Sequence, residues 1–235
     1  SLSFAWSKYS HVTTISTFWI ERFFLGLGVF ILCFLTALWS IKAIFYPKAI
    51  KEKFLNPVLG PMMAYFPISA MLAIALLFPR FPEYTSFAYT LTAIALIIQV
   101  TIAWRVVYLL SMGNMPTDQV TPALYLPIVP GGLVGGAALT AIGLPGFGYL
   151  VWGMGLGGWA LLEMRILHRL FAGPLPPQYR ATIGIEMGPA AISTITAISI
   201  WPNLPVDAIL VGLGVASGPI FAVLTRWKLW TAVPF

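Results

Sequence analysis

Between Gln119 and Leu162 the chain carries no charged residue at all. An uncharged apolar run of this length exceeds what one membrane-spanning helix of about 20 residues needs, and its only strong break is the turn sequence Gly143-Leu-Pro-Gly146. It therefore reads as two consecutive spans. Marking every other run of that order predicts seven spans in all: Phe23 to Ile41, about Pro57 to Phe78, Tyr84 to Trp104, the two halves of the uncharged run, Ala181 to Trp201 and Ala208 to Thr225. Trp39, Trp104, Trp201 and Trp227 fall at or near span ends, where amphipathic rings favour the membrane interface. With 59% hydrophobic and 9% charged residues and a mean hydropathy of +0.90, the chain cannot clothe a soluble globule. The fold class expected is all-α, a polytopic membrane protein, with residues 1–235 as a single transmembrane domain.

The net charge of +6 does not indicate a nucleic-acid partner, because the basic residues sit between hydrophobic runs and form no continuous face. They read as topology signals instead. In a seven-span arrangement Lys42, Lys48, Lys51, Lys53, Arg105, Arg165, Arg169, Arg180, Arg226 and Lys228 share one side, and Lys8, Arg22 and Arg80 the other. The positive-inside rule then places the C-terminal end of this chain in the cytoplasm and its N-terminus outside. No cleavable signal peptide accounts for an external N-terminus, so a further helix is expected ahead of the chain, with Ser1 to Trp6 as its tail.

The prolines repeat. Tyr65-Phe66-Pro67, Leu126-Pro127-Ile128-Val129-Pro130 and Met187-Gly188-Pro189 place a proline in spans two, four and six at intervals of about 60 residues, while spans three and five have none inside. Proline removes a helix hydrogen bond and kinks the chain, so within a membrane it faces protein or water. The repeating unit is thus a kinked helix followed by a straighter one, which predicts a ring of helical hairpins with the kinked members inside around a central pore. Pro219 in span seven departs from the rule. Glycines crowd the kinked helices at Gly131, Gly132, Gly135 and Gly136 and at Gly184 and Gly188; helix packing through small residues explains them as readily as a pore does.

Chemistry of other kinds is poorly supplied. His11 and His168 lie towards opposite membrane surfaces, so no nucleophile–base pair or two-histidine metal site forms, and no cofactor is expected. Cys33 has no second cysteine to pair with. Gly153-Met-Gly155-Leu-Gly157-Gly158 lies inside a span with no preceding strand and reads as a packing surface, not a phosphate loop. Every lysine lies outside the spans, which excludes a retinal Schiff base. Glu186 stands apart: a carboxylate at that depth costs about 2.5 to 3.5 kcal/mol unless protonated, paired or wetted. It should face the ring interior, either as a pore group or as an interhelical hydrogen-bond partner. Glu163 and Arg165, near the inner end of span five, suggest an ion pair or headgroup contact, and Arg180 a topology anchor.

Three stretches carry a family resemblance. Thr121-Pro-Ala-Leu-Tyr-Leu-Pro127, Pro177-Gln-Tyr-Arg-Ala-Thr-Ile-Gly-Ile185 with Pro189, and Asn56-Pro57 through Phe66-Pro67 resemble the tellurite-resistance/dicarboxylate transporter family, which includes TehA-type bacterial proteins and the slow-type anion channels of plants. Gly148-Tyr149, Glu163, His168 and Val206-Asp207 agree more weakly. The resemblance implies ten helices as five hairpins around a pore, homotrimers with one pore per protomer, a bacterial inner membrane location and passage of small inorganic or carboxylate anions. The spans here would be helices two to eight, with spans two, four and six as inner helices, so the chain would be incomplete at both ends. The family's gating phenylalanine lies on the ninth helix, which has no counterpart here. Glu186, neutral in relatives, and Gly132, asparagine in some, depart from the pattern. Pore-lining candidates are Phe66, Pro67, Pro127, Pro130, Gly131, Glu186 and Pro189, with Phe66 as a constricting ring. The rival expectation is a non-conducting structural subunit or truncated remnant of such a transporter.

Overall fold

The computed structural model describes residues 18–113 and 115–225. Expectations resting on Ser1 to Trp6, Lys8, His11, Arg226, Trp227 and Lys228 lie outside the described residues. The chain divides into two compact units, Ser1–Lys51 and Glu52–Phe235. In the first, helix α1 (Phe18–Phe45) is 28 residues long, about 42 Å at 1.5 Å per residue and more than the hydrocarbon layer requires. Within it Phe30 stacks on Phe34 one turn later, with ring centroids 6.2 Å apart. Helix α2 (Pro47–Leu55) runs across the division between the units.

The second unit contains α3 (Leu59–Met62), α4 (Tyr65–Leu77), α5 (Thr85–Ser111), α6 (Tyr125–Ala141), α7 (Pro145–Phe171), α8 (Gly188–Ile200) and α9 (Val206–Thr225), with 3-10 segments before α5, α6 and α8. Six helical stretches of the described residues are long and apolar enough to cross a membrane; the seventh apolar stretch, Val206–Phe221, is shorter. The seven expected spans therefore resolve into six full-length ones and a short one. The uncharged run divides where its turn sequence indicated. Gly143 takes φ +88°, its N–H donates to Thr140 O and that of Leu144 to Leu139 O. These are the paired bonds of a Schellman ending, and Pro145 then begins α7.

The prolines act differently from a simple kink. Pro67 and Pro127 stand in the first turn of α4 and α6 and Pro189 in that of α8, each just after a 3-10 or single-turn segment. The spans are thus broken into two helical pieces, and the proline opens the second piece, where its missing N–H costs least. Among the described residues only Pro130 and Pro219 lie beyond the first turn of a helix. In span six the first piece, Pro177–Met187, is a 3-10 helix of 11 residues, far longer than the usual three or four.

Helix α6 is the centre of this unit, with 83% of its central window buried against 17% for α7. It packs on α4 to one side and α8 to the other, and also on α5 and α7; α9 packs on α8. The helices that carry Pro67, Pro127 and Pro189 in their first turns are therefore consecutive neighbours. The α6–α7 contact is the tightest, because Gly132 faces Gly155 and Gly136 faces Gly148 with no room for a side chain between them. The glycine-rich face of span four is a packing surface, as is the Gly155–Gly158 side of α7.

One end of the second unit is tied down by arginine. Arg105 Nε donates to Phe54 O (2.9 Å) and Nη2 to Leu55 O (2.5 Å), with the guanidinium 5.4 Å from the Phe54 ring. It thereby satisfies carbonyls at the C-terminus of α2. Arg169, only 9% exposed, donates to Thr117 O, Gly173 O and Pro174 O. Read from the sequence as topology signals, both are also hydrogen-bonded joints.

Candidate functional site

Two polar constellations are built around α6. The first is at its N-terminus. Tyr125, fully buried, presents its hydroxyl 2.5 Å from Glu163 Oε2 on α7 and 3.1 Å from Glu186 Oε1 on the long 3-10 segment. Trp159, one turn before Glu163, donates its indole N–H to the same Oε2 at 2.8 Å. The other oxygen of Glu186 is buried and has no hydrogen-bond partner among the described residues. Glu163 Oε2 thus meets two neutral groups, the phenol and the indole, and the expected ion pair or headgroup contact at Glu163 is replaced by an interhelical cluster. The reason lies in helix rotation: Trp159 and Glu163 share one face of α7 at i, i+4, and that face meets Tyr125, while Arg165 points outward and is exposed.

The second constellation lies within the first two turns of α6, on the side towards α5. Pro130 has no N–H to give Leu126 O, and that carbonyl instead accepts from Gln99 Nε2 on α5 at 3.3 Å. The same nitrogen donates to Pro127 O at 2.6 Å. Gly131 is required there: a Cβ on it would stand 2.0 Å from Gln99 Nε2. The carbonyl left by Pro67 is served differently, by Phe66 N–H donating to Met63 O (3.4 Å), and that left by Pro189 by Gly188 N–H donating to Ile185 O. The backbone acceptors left by Pro67, Pro130 and Pro189 are therefore already occupied. Gln99→Leu should remove both side-chain donors from buried carbonyls, at a cost of about 2 kcal/mol and a fall of about 5 °C in thermal midpoint of the detergent-solubilised protein. An unchanged midpoint would show that the amide is dispensable.

Of the residues singled out in the sequence, Pro67, Pro127, Pro130, Gly131 and Pro189 are buried, and Phe66 and Glu186 are partly buried. The structure joins Glu186 to Tyr125 and sets Pro127, Pro130 and Gly131 against Gln99. Gly184 would meet nothing within 4 Å, so the open faces in span six contrast with the filled ones in span four. Sequence reasoning missed Gln99, Trp159 and the hydroxyl of Tyr125. An amide inside an otherwise apolar span is a signal that could have found Gln99. A third joint, from Trp152 Nε1 to Thr196 Oγ1 at 2.9 Å with Trp201 edge-on to Trp152 at 5.1 Å, fastens α7 to α8 beyond the second constellation. Among the described residues no group of three or more histidine, cysteine or carboxylate side chains could hold a metal ion.

The chain was compared with known families and proteins. The family model of SLAC1, the voltage-dependent anion channels, matches residues 1–234. The tellurite resistance protein TehA homolog of Haemophilus influenzae (strain ATCC 51907 / DSM 11121 / KW20 / Rd) is 28% identical over 163 residues, covering 69% of this chain and 49% of that protein. The chain thus spans about half the length of the curated relative it matches.

Proposed function

Because the chain belongs to the SLAC1 voltage-dependent anion channel family, a channel family and not an enzyme family, we propose that it forms part of a multi-pass channel that passes small anions across a bacterial inner membrane. The observation that carries this reading is the packing order, in which the helices with Pro67, Pro127 and Pro189 in their first turns are consecutive neighbours, while α5 and α7, which have no proline past their first residue, are the more exposed. Further hairpins of the full-length protein would close such an arc into a ring around one path per protomer, assembled as a homotrimer with the C-terminal end of this chain in the cytoplasm. The lining proposed comprises Phe66 as a constriction, with Pro67, Pro127, Pro130, Gly131, Glu186 and Pro189 along the path.

The physical means suit an anion. Carbonyl oxygens facing the lumen would repel it, and here those left by Pro67, Pro130 and Pro189 are taken up by N–H donors. A narrow apolar path with few fixed charges binds weakly enough for ions to leave. The anions proposed are chloride, nitrate, tellurite and four-carbon dicarboxylates; the tellurite-resistance relative supports including tellurite. The full-length protein in proteoliposomes should pass at least one of chloride, nitrate, tellurite, sulfite and malate well above empty liposomes. Absence of flux for all of them would sink the channel reading in favour of a non-conducting structural subunit.

A further inference from the structure

We infer that Tyr125, Glu163 and Glu186 form a proton-binding site, and that its occupancy sets the charge beside the proposed anion path. The consequence for flux rests on the channel reading; the proton itself does not. A phenol has one hydrogen to donate, yet the Tyr125 oxygen lies 2.5 Å from Glu163 Oε2 and 3.1 Å from Glu186 Oε1. The shorter contact has the length of a bond from a hydroxyl to an ionised carboxylate, and the same Oε2 also accepts from Trp159 Nε1 at 2.8 Å. Glu163 is therefore the anion and receives the phenol hydrogen. Glu186 can bond to the phenol oxygen only by donating, which requires it to carry a proton.

Its surroundings agree. Glu186 Oε2 is buried with no partner among the described residues, tolerable for the carbonyl oxygen of a neutral acid and costly for a carboxylate. The titratable groups that face Glu186 are Tyr125 from α6 and Glu163 from α7. Of the other elements packed on its 3-10 segment, α8 and Pro122–Leu124 contain no titratable residue. The only one in α9, Asp207, is exposed in the first turn, next to the far end of α8. On the segment itself Arg180 donates its Nε to Leu175 O. Among the described residues no cation therefore compensates a second charge. Loss of the proton changes the cluster from one negative charge to two, in low-dielectric surroundings beside the path.

The experiment uses the full-length protein. Chloride flux into liposomes should fall about tenfold as pH rises from about 5 to about 9, because an added fixed negative charge raises the barrier to an anion. Glu186→Gln, isosteric with the neutral acid, should hold the low-pH rate throughout, while Glu83→Gln, at an exposed loop position, should keep the wild-type profile. Infrared difference spectroscopy supplies a readout independent of transport: a protonated-carboxyl band present at about pH 6 in the wild type and in Glu83→Gln should vanish in Glu186→Gln. A wild type without that band overturns the proton site. A band accompanied by the same flux profile in wild type and Glu186→Gln overturns its effect on the path. Complete absence of flux at every pH overturns the channel reading alone, and the band still decides the proton.

Discussion

Gly132→Val will prevent α6 and α7 from packing and will yield little folded protein. A Cβ at Gly132 would lie 2.6 Å from Gly155 Cα, 2.7 Å from Gly155 N and 3.0 Å from Val151 O. All three are backbone atoms that cannot rotate away, so the helices must separate along their whole length. Gly136 against Gly148 O, at 2.6 Å for an added Cβ, lies on the same seam and would be pulled open with it. In a membrane no hydrophobic effect between helices compensates, since lipid tails are as apolar as the lost contacts, and the dispersion energy forfeited grows with the length of the gap. We expect a loss of about 3 kcal/mol or more. The control is Gly157→Val on the other face of α7, where an added Cβ meets nothing within 4 Å. Thermal denaturation followed by size-exclusion chromatography in detergent checks the pair. Equal losses at the two glycines would refute the close-packed seam.

Arg169→Met should be nearly as damaging, for a polar reason. The buried guanidinium donates from Nε to Thr117 O (2.8 Å), from Nη1 to Gly173 O (3.0 Å) and from Nη2 to Pro174 O (3.4 Å). It joins the loop after α5, the end of α7 and the start of the connection to the 3-10 segment that carries Glu186. Methionine keeps the apolar stem and leaves those carbonyls without a side-chain donor, which should cost about 3 kcal/mol. Arg169→Lys should recover only part of this, because one ammonium cannot reproduce a planar fork reaching separate acceptors. Limited proteolysis of the detergent-solubilised protein is the direct readout, with faster cleavage expected in the 111–119 loop and around residues 172–176. Unchanged cleavage in Arg169→Met would show that the arginine serves only as a charge at the membrane surface.

These two effects differ in how far they could be anticipated. The glycines of span four were visible in the sequence, but whether they served a pore or a packing seam depended on the face each one turned. The observed rotation puts Gly132 and Gly136 on α7 and Gly131 on Gln99. Arg169 was visible only as one more basic residue on the cytoplasmic side, because its acceptors are backbone carbonyls up to 52 residues away, and any residue could supply those. Glu186 was conspicuous by its cost in a span. Its partner Tyr125, 61 residues earlier, was not, since a tyrosine in an apolar run has no such cost to draw attention to it.

The sequence by itself determined the apolar, all-helical character, the approximate placement of the six long apolar helices, the division at Gly143–Gly146 and the 60-residue rhythm of prolines, all of which follow from composition and local backbone rules. Only the tertiary structure decided that the prolines open second helical pieces instead of bending continuous ones, that Gln99 serves the carbonyl left by Pro130, and that Glu163 and Glu186 share one phenol. The physical reason is that hydropathy and proline act on a residue's own segment, whereas a side-chain hydrogen bond depends on the rotation and crossing of two helices. That rotation is settled by how their small residues pack.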